Sequence, residues 1–134
     1  MCIDKQKVRE RLGIKQKFVL IWSGHLGGFT TYDVLFLIKA ISISKNKNNI
    51  LLILAAMANE NEINLISLFA NKLNVNLKYV GFLEKKSYLT YLFASDVGVF
   101  IRPSSLFSHF LTGRKVMDYT RLFYICAINK RFLS

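Results

Sequence analysis

Proline is nearly absent from this chain of 134 residues: there is one, Pro103, alongside seven glycines. That scarcity excludes collagen-like and proline-rich linker sequences. Cysteine is almost as rare. Cys2 and Cys126 stand far apart with no CxxC spacing, so neither a disulfide framework nor a metal cluster is expected, and a reducing cytoplasm suits the chain best. Long hydrophobic runs are missing too. Phe18–Trp22 and Ile50–Met57 have the length of strands, far below the roughly 20 residues that span a bilayer. The opening MCIDKQKVRERLGIKQK is too polar for a signal peptide. A soluble protein is expected, with at most a peripheral contact at the inner face of a membrane.

Acids are the last shortage. Eight Asp and Glu stand against nineteen Lys and Arg, a net charge of +11. The excess sits at the two ends: residues 1–17 carry six basic and two acidic residues, and residues 102–134 carry six and one. Such a surface attracts polyanions, whether nucleic acid, anionic lipid or phosphate-bearing ligands; the alternative is a Lys- and Asn-rich solvated surface with no partner. What is abundant is apolar: 52% of residues are hydrophobic and 20% charged, enough for one cored domain over 1–134 and too apolar for disorder.

The elements alternate. VRERLGI reads as a short helix closing at Gly13. Phe18–Ser23 is a continuous apolar run, the pattern of a strand buried on both faces. A turn through Gly24, Gly27 and Gly28 follows, and Thr31 or Asp33 is the expected cap of a helix with Val34, Leu35, Ile38 and Ile41 inward. After the polar SKNKNN come a strand over Ile50–Ala55 and a helix capped by Asn59 or Asn61 with Ile63, Ile66, Phe69, Ala70 and Leu73 on one side. A short strand, Leu77–Val80, ends at Gly81. Ser87 is expected to start a helix with Tyr88, Leu89, Leu92 and Phe93 inward. A fourth strand covers Asp96–Ile101, a helix runs from Gly113 to about Leu122, and FYICAI forms a fifth strand. The result is an α/β fold: a Rossmann-like parallel sheet with helices on both faces. Ligands of such sheets bind beyond the carboxyl ends of the strands. That rule selects the glycine turn, Gly81–Glu84 and Arg102–Arg114.

The glycine spacing is not GxGxxG, so no dinucleotide fingerprint is present. Glycines between a strand and a helix start still suit a phosphate, or simply a tight turn; His25 within the turn reads as exposed. Arg114 and Lys115 open the last helix, where cations oppose its dipole. Asp118 lies one turn on, placed either for ribose hydroxyls or for an intrahelical ion pair worth about 0.3–0.5 kcal/mol.

This order of elements, with DVGV at Asp96–Val99 and KVMDY at Lys115–Tyr119, resembles the C-terminal, donor-binding domain of GT-B glycosyltransferases, and most closely the large retaining bacterial family (family 4, group 1). The resemblance covers nearly the whole chain. It implies one half of a GT-B fold that binds a nucleoside-diphosphate sugar as donor substrate, with no cofactor and no metal. Gly24, Gly27 and Gly28 would lie against the diphosphate. Val80, Gly81 and Phe82 would flank the base. Ser104 and Ser105 would face the donor sugar and phosphates, Asp118 would bind the ribose, and Lys115 matches a lysine common shortly before that acid. Arg102 or Lys115 would neutralise the diphosphate, since Leu26–Asp33 has neither Arg nor Lys. Phe110 stands where many members carry a second acid, and LFYI replaces the usual Gly-x-Pro before the last strand.

No catalytic residue is identified. The implied acceptor is a glycan or a lipid-linked sugar. The acceptor half of a GT-B enzyme and its C-terminal helices have no counterpart in the sequence, which predicts a truncated product, one half of a split transferase completed by a separate acceptor-domain chain, or an inactive remnant. The alternative from another class is a non-catalytic basic α/β module for nucleic acid or a protein partner. Nucleic acid is disfavoured because the aromatics fall mostly at core-facing positions. A response-regulator-like domain would need acids at Ser23–Gly24 and has none.

Overall fold

A computed structural model describes residues 4–99 and the backbone of residues 100–102 and 125–129. The order is α1 (Lys5–Arg11), β1 (Phe18–His25), α2 (Phe29–Ser42), a 3-10 turn (Lys47–Asn49), β2 (Ile50–Met57), α3 (Glu60–Lys72), β3 (Asn76–Tyr79), α4 (Lys85–Ala94), β4 (Val97–Arg102) and β5 (Ile125–Asn129). All described strand pairs are parallel, and the sheet runs β3-β2-β1-β4-β5. The chain leaves β1 in one direction, to β2 and β3, then crosses back to place β4 on the other side of β1.

The two central strands bury both faces, which is why they read as continuous apolar runs. Side chains alternate across a strand. Trp22, Leu52, Leu54 and Ala56 therefore meet α2 and α3 through Val34, Leu37, Ile38, Ile41, Ile66 and Ala70. Val19, Ile21, Leu51, Ile53 and Ala55 meet α1 and α4 through Val8 and Leu92. Helices on both faces, as the alternation predicts, give two cores. Ile53 and Leu54 are both fully buried on opposite sides, each contributing about 2 kcal/mol by leaving water.

Several local expectations shift. α2 begins at Phe29 with Gly28 at the N-cap, so neither Thr31 nor Asp33 caps it. Thr31 is instead buried in the first turn, where its hydroxyl donates to Glu62 Oε2 on α3 at 2.7 Å. α4 begins at Lys85 with Glu84 at the N-cap, ahead of Ser87. Leu89 is exposed rather than inward. Of the two candidate caps for α3, Asn59 serves, its side chain accepting from Glu62 N–H at 2.9 Å. Asp96 lies just before β4 rather than in it, and its carboxylate Oδ2 accepts the Val19 N–H at 2.8 Å.

α1 is held by charge. Arg9 is nearly buried; its Nε donates to Ala94 O at 2.8 Å and Nη1 to Lys17 O at 3.2 Å. Its Nη2 lies 2.7 Å from Asp96 Oδ2, a contact of opposite charges without aligned hydrogen-bond geometry. This places the start of β1, the end of α4 and α1 on one hub at the amino edge of the sheet.

Candidate functional site

The site is built at the carboxyl edge, beside the point where the strand order reverses between β1 and β4. β1 continues through His25, two residues beyond the expected end, and β2 through Met57. Gly24 therefore belongs to the end of the strand, paired with Ala56, and not to the turn. Its φ of 151 lies where side chains are rarely accommodated. Ser23, just before it, is buried and shares a hydrogen bond of 2.9 Å with Tyr88 on α4, tying the strand end to the opposite helix layer.

The turn itself is shaped by a residue that sequence reasoning passed over. Thr30 Oγ1 accepts from Gly27 N–H at 2.9 Å, and its hydroxyl donates toward His25 O at 2.7 Å and Gly27 O at 2.9 Å. A threonine three residues after a turn glycine is a local side-chain-to-backbone motif and was legible as such. Gly27 N–H is thus already engaged within the turn, and Thr30 N–H in the first turn of α2 donates to Gly27 O at 3.3 Å, which leaves the other amides at the start of α2 to meet a ligand. Gly28, at φ 57, turns the chain into α2 and supplies no side-chain cap. α1 and α3 are capped by Asp4 and Asn59, whereas α4, with Glu84 at its N-cap, likewise has no side-chain cap; what sets α2 apart is its start at the carboxyl end of β1, beside the strand reversal. The first-turn N–H groups of a helix attract an anion through their partial positive charge, and an anion is the kind of group that takes the place of a missing cap. His25 is exposed.

The other predicted residues are spread along the same edge. Val80 N–H donates to Leu54 O at 2.9 Å, holding the end of β3 against β2. Gly81 follows with φ 74, and Phe82 projects its ring into solvent, 75% exposed. Since β2 separates β3 from β1, this loop flanks the glycine turn at two strand spacings, about 10 Å. Arg102 ends β4, next to β1 across the sheet. Ser104, Ser105, Phe110, Lys115 and Asp118, with the helix expected over 113–122, lie outside the described residues. Among the described residues, no three His, Cys, Asp or Glu side chains gather as a metal site, and no helix is long and apolar enough to cross a membrane.

No protein-family model and no curated protein matches the chain. Solved structures do. WaaG, a glycosyltransferase involved in lipopolysaccharide biosynthesis, aligns over 95% of this chain and 38% of its own length with a TM-score of 0.57 and 16% identity. The C-terminal domain of a group 1 glycosyltransferase, LpcC of Francisella tularensis, aligns over 73% of this chain and 53% of its own, with a TM-score of 0.53 and 16% identity. The fold is that of a GT-B C-terminal domain. The catalytic domain of cholesterol-alpha-glucosyltransferase from Helicobacter pylori shares 29% identity over 61% of this chain and 48% of its own, with a TM-score of 0.50. This GT-B-like chain spans about half, or less, of the structures it matches. Its glycine turn occupies the carboxyl edge of the sheet, beside the β1–β4 reversal.

Proposed function

We propose that this chain is the donor-binding half of a glycosyltransferase, transferring a sugar from a nucleoside-diphosphate sugar to a glycan or lipid-linked acceptor. The observation that carries the reading is the start of α2. A helix without a side-chain cap opens behind Gly28 at the carboxyl end of β1, beside the β1–β4 reversal, in a fold shared with glycosyltransferases. The diphosphate would rest against Gly24–Gly28 and the first turn of α2. Phe82, exposed beyond Gly81, offers a face for the base. Asp118 would hold the ribose hydroxyls, Ser104 and Ser105 the donor sugar, and Arg102 with Lys115 the phosphate charge.

Catalysis in this reading is electrostatic. As the bond between the sugar and the diphosphate breaks, negative charge grows on the leaving phosphate, and fixed N–H groups with nearby cations stabilise it. The acceptor side of the cleft would come from other polypeptide, in a longer form of this protein or in a separate chain. The same reading assigns a cytoplasmic location.

Calorimetric titration of the chain with UDP, GDP, ADP and CMP tests it. One nucleotide should bind saturably, with binding lost in Asp118→Ala and weakened about fivefold in Phe82→Ala, the scale of one stacking contact. A chain that melts cooperatively yet binds none of the four sinks the reading. Salt-sensitive binding to a short DNA duplex would replace it with the basic binding module.

A further inference from the structure

α2 is apolar on both sides. Val34, Ile38 and Ile41 face the core, while Phe29, Tyr32, Phe36 and Ile43 recur at helical spacing on the opposite side. Among the described residues nothing covers that outward stripe: Phe29 is 86% and Ile43 76% exposed. In the same layer, α3 adds exposed Leu65 and Leu68. A surface helix ordinarily turns charge to this side, and an apolar face of this kind marks an interaction site. Charge selects the kind of occupant. Residues 29–72 hold four lysines and three acids, so they carry +1 of the chain's +11. α1, with its lysines and arginines, packs on the other face of the sheet. A polyanion is drawn to that side. The near-neutral, apolar α2–α3 layer instead has the composition of the patch that copies of one chain share.

We infer that the outward face of α2 and α3 pairs with the same face of a second copy, about a two-fold axis level with Phe36. The spacing is self-complementary. Phe29 and Ile43 each lie seven residues from Phe36, about 10 Å along the helix, so antiparallel packing sets Phe29 of each copy against Ile43 of the other. The two helices of one copy run in the same direction, since each returns from one parallel strand to the next. The Thr31–Glu62 hydrogen bond fixes the level of α3 against α2. Five residues further along both helices, Phe36 is level with Ser67. About that level, Leu65 opposes Leu68 of the second copy, and Glu60 at one end of α3 opposes Lys72 at the other; all four are exposed. A single axis thus joins the apolar pairs and sets opposite charges together. Helices of 14 and 13 residues, about 20 Å long and about 10 Å apart, give a footprint at the small end for specific complexes, so assembly at micromolar concentration is expected. Lys45, two residues past Ile43, comes to the amino end of α2 in the other copy, where Gly24–Asp33 has no Lys or Arg of its own. There it would add a cation beside the candidate phosphate site. That consequence rests on the transferase reading, whereas the pairing does not.

Sedimentation velocity of the full chain over a range of concentrations tests it. Monomer should give way to dimer as concentration rises. Phe29→Ser/Ile43→Ser should weaken assembly by more than about tenfold. Glu60→Lys and Lys72→Glu should each weaken it about fivefold, because each reversal sets like charges together at two places in the dimer. An equimolar mixture of these two variants should recover assembly, since opposite charges then meet at both places. That recovery carries the test if the Phe29/Ile43 variant fails to fold. Leu89→Ser, on the other helix layer, should leave assembly unchanged. Lys45→Ala should also leave it unchanged, while weakening nucleotide binding about threefold, the scale of one exposed charge. The inference is overturned by a chain that stays monomeric at about 100 μM, whether or not it binds anionic vesicles. It is equally overturned by a dimer that none of the face variants weakens, or by a mixture that assembles no better than its parts. A dimer that persists when no nucleotide binds separates this pairing from the transferase reading.

Discussion

Gly27 and Gly28 are adjacent and equally open, yet they play different parts. An added Cβ would meet nothing within 4 Å at either position. Only Gly28 has a positive φ, 57, so only there does a side chain meet backbone strain rather than a neighbour. Gly28→Ala should therefore cost about 1–2 kcal/mol. Gly27→Ala should stay within about 0.5 kcal/mol of the parent, because the loss of unfolded-state freedom favours the folded form. Urea denaturation of both variants decides this; equal costs would mean the turn is not held by the conformation of Gly28. Among the described aromatics, Phe18, Phe29, Tyr32 and Phe82 are exposed, while Trp22 is buried and Phe36, Phe69, Tyr79, Tyr88, Tyr91 and Phe93 are half-buried, so most lie toward the core as expected.

Among the elements, α1 is short, seven residues, and too short to be stable in isolation. Its place depends on Val8 in the core and on Arg9 meeting Asp96. Asp96 accepts Val19 N–H and sits beside the Arg9 guanidinium, so its removal leaves a nearly buried cation and a strand amide without their partner. Asp96→Ala should destabilise by about 3 kcal/mol, the scale for breaking a largely buried pair. Lys5→Ala, whose Nζ is 3.6 Å from the same carboxylate on the exposed side, should cost less than about 1 kcal/mol. Thermal melts of the two variants measure the difference; similar losses would show that the hub is held by general charge and not by the buried contact. Thr31 with Glu62 plays a lesser part of the same kind, joining the starts of α2 and α3 where both border the glycine turn.

Over the whole molecule, stability should follow depth in the sheet. β1 and β2 are paired on both sides and buried on both faces, whereas β3 is an edge strand whose four residues are all half-buried. Amide exchange should be slowest in Val19–Trp22 and Leu51–Leu54 and clearly faster in β3. Uniform protection across the three strands would contradict a core centred on β1 and β2. In the transferase reading, the candidate donor site would stand on the strands expected to open least, and Gly81 and Phe82 would follow the edge strand expected to open first.

Much of this architecture was legible along the chain, because local burial leaves local patterns. Two-sided burial made Phe18–Ser23 and Ile50–Ala55 read as strands, helical spacing marked Ile66 and Ala70, and Asn59 could cap α3 from its own side chain. The glycine turn was legible for the same reason. The start of α2 was not, because Thr31 and Asp33 are better caps by residue type than glycine, and the backbone angle at Gly28 is invisible in a sequence. Whatever required distant partners came only with folding. Asp96 reaches Val19 across 77 residues and Thr31 reaches Glu62 across 31, and no spacing rule selects either pair. The strand order, which sets β1 beside β4, follows from where helices pack on a twisted sheet. The outward stripe of α2 has the same apolar periodicity as the inward one; only packing determines which of the two the core covers.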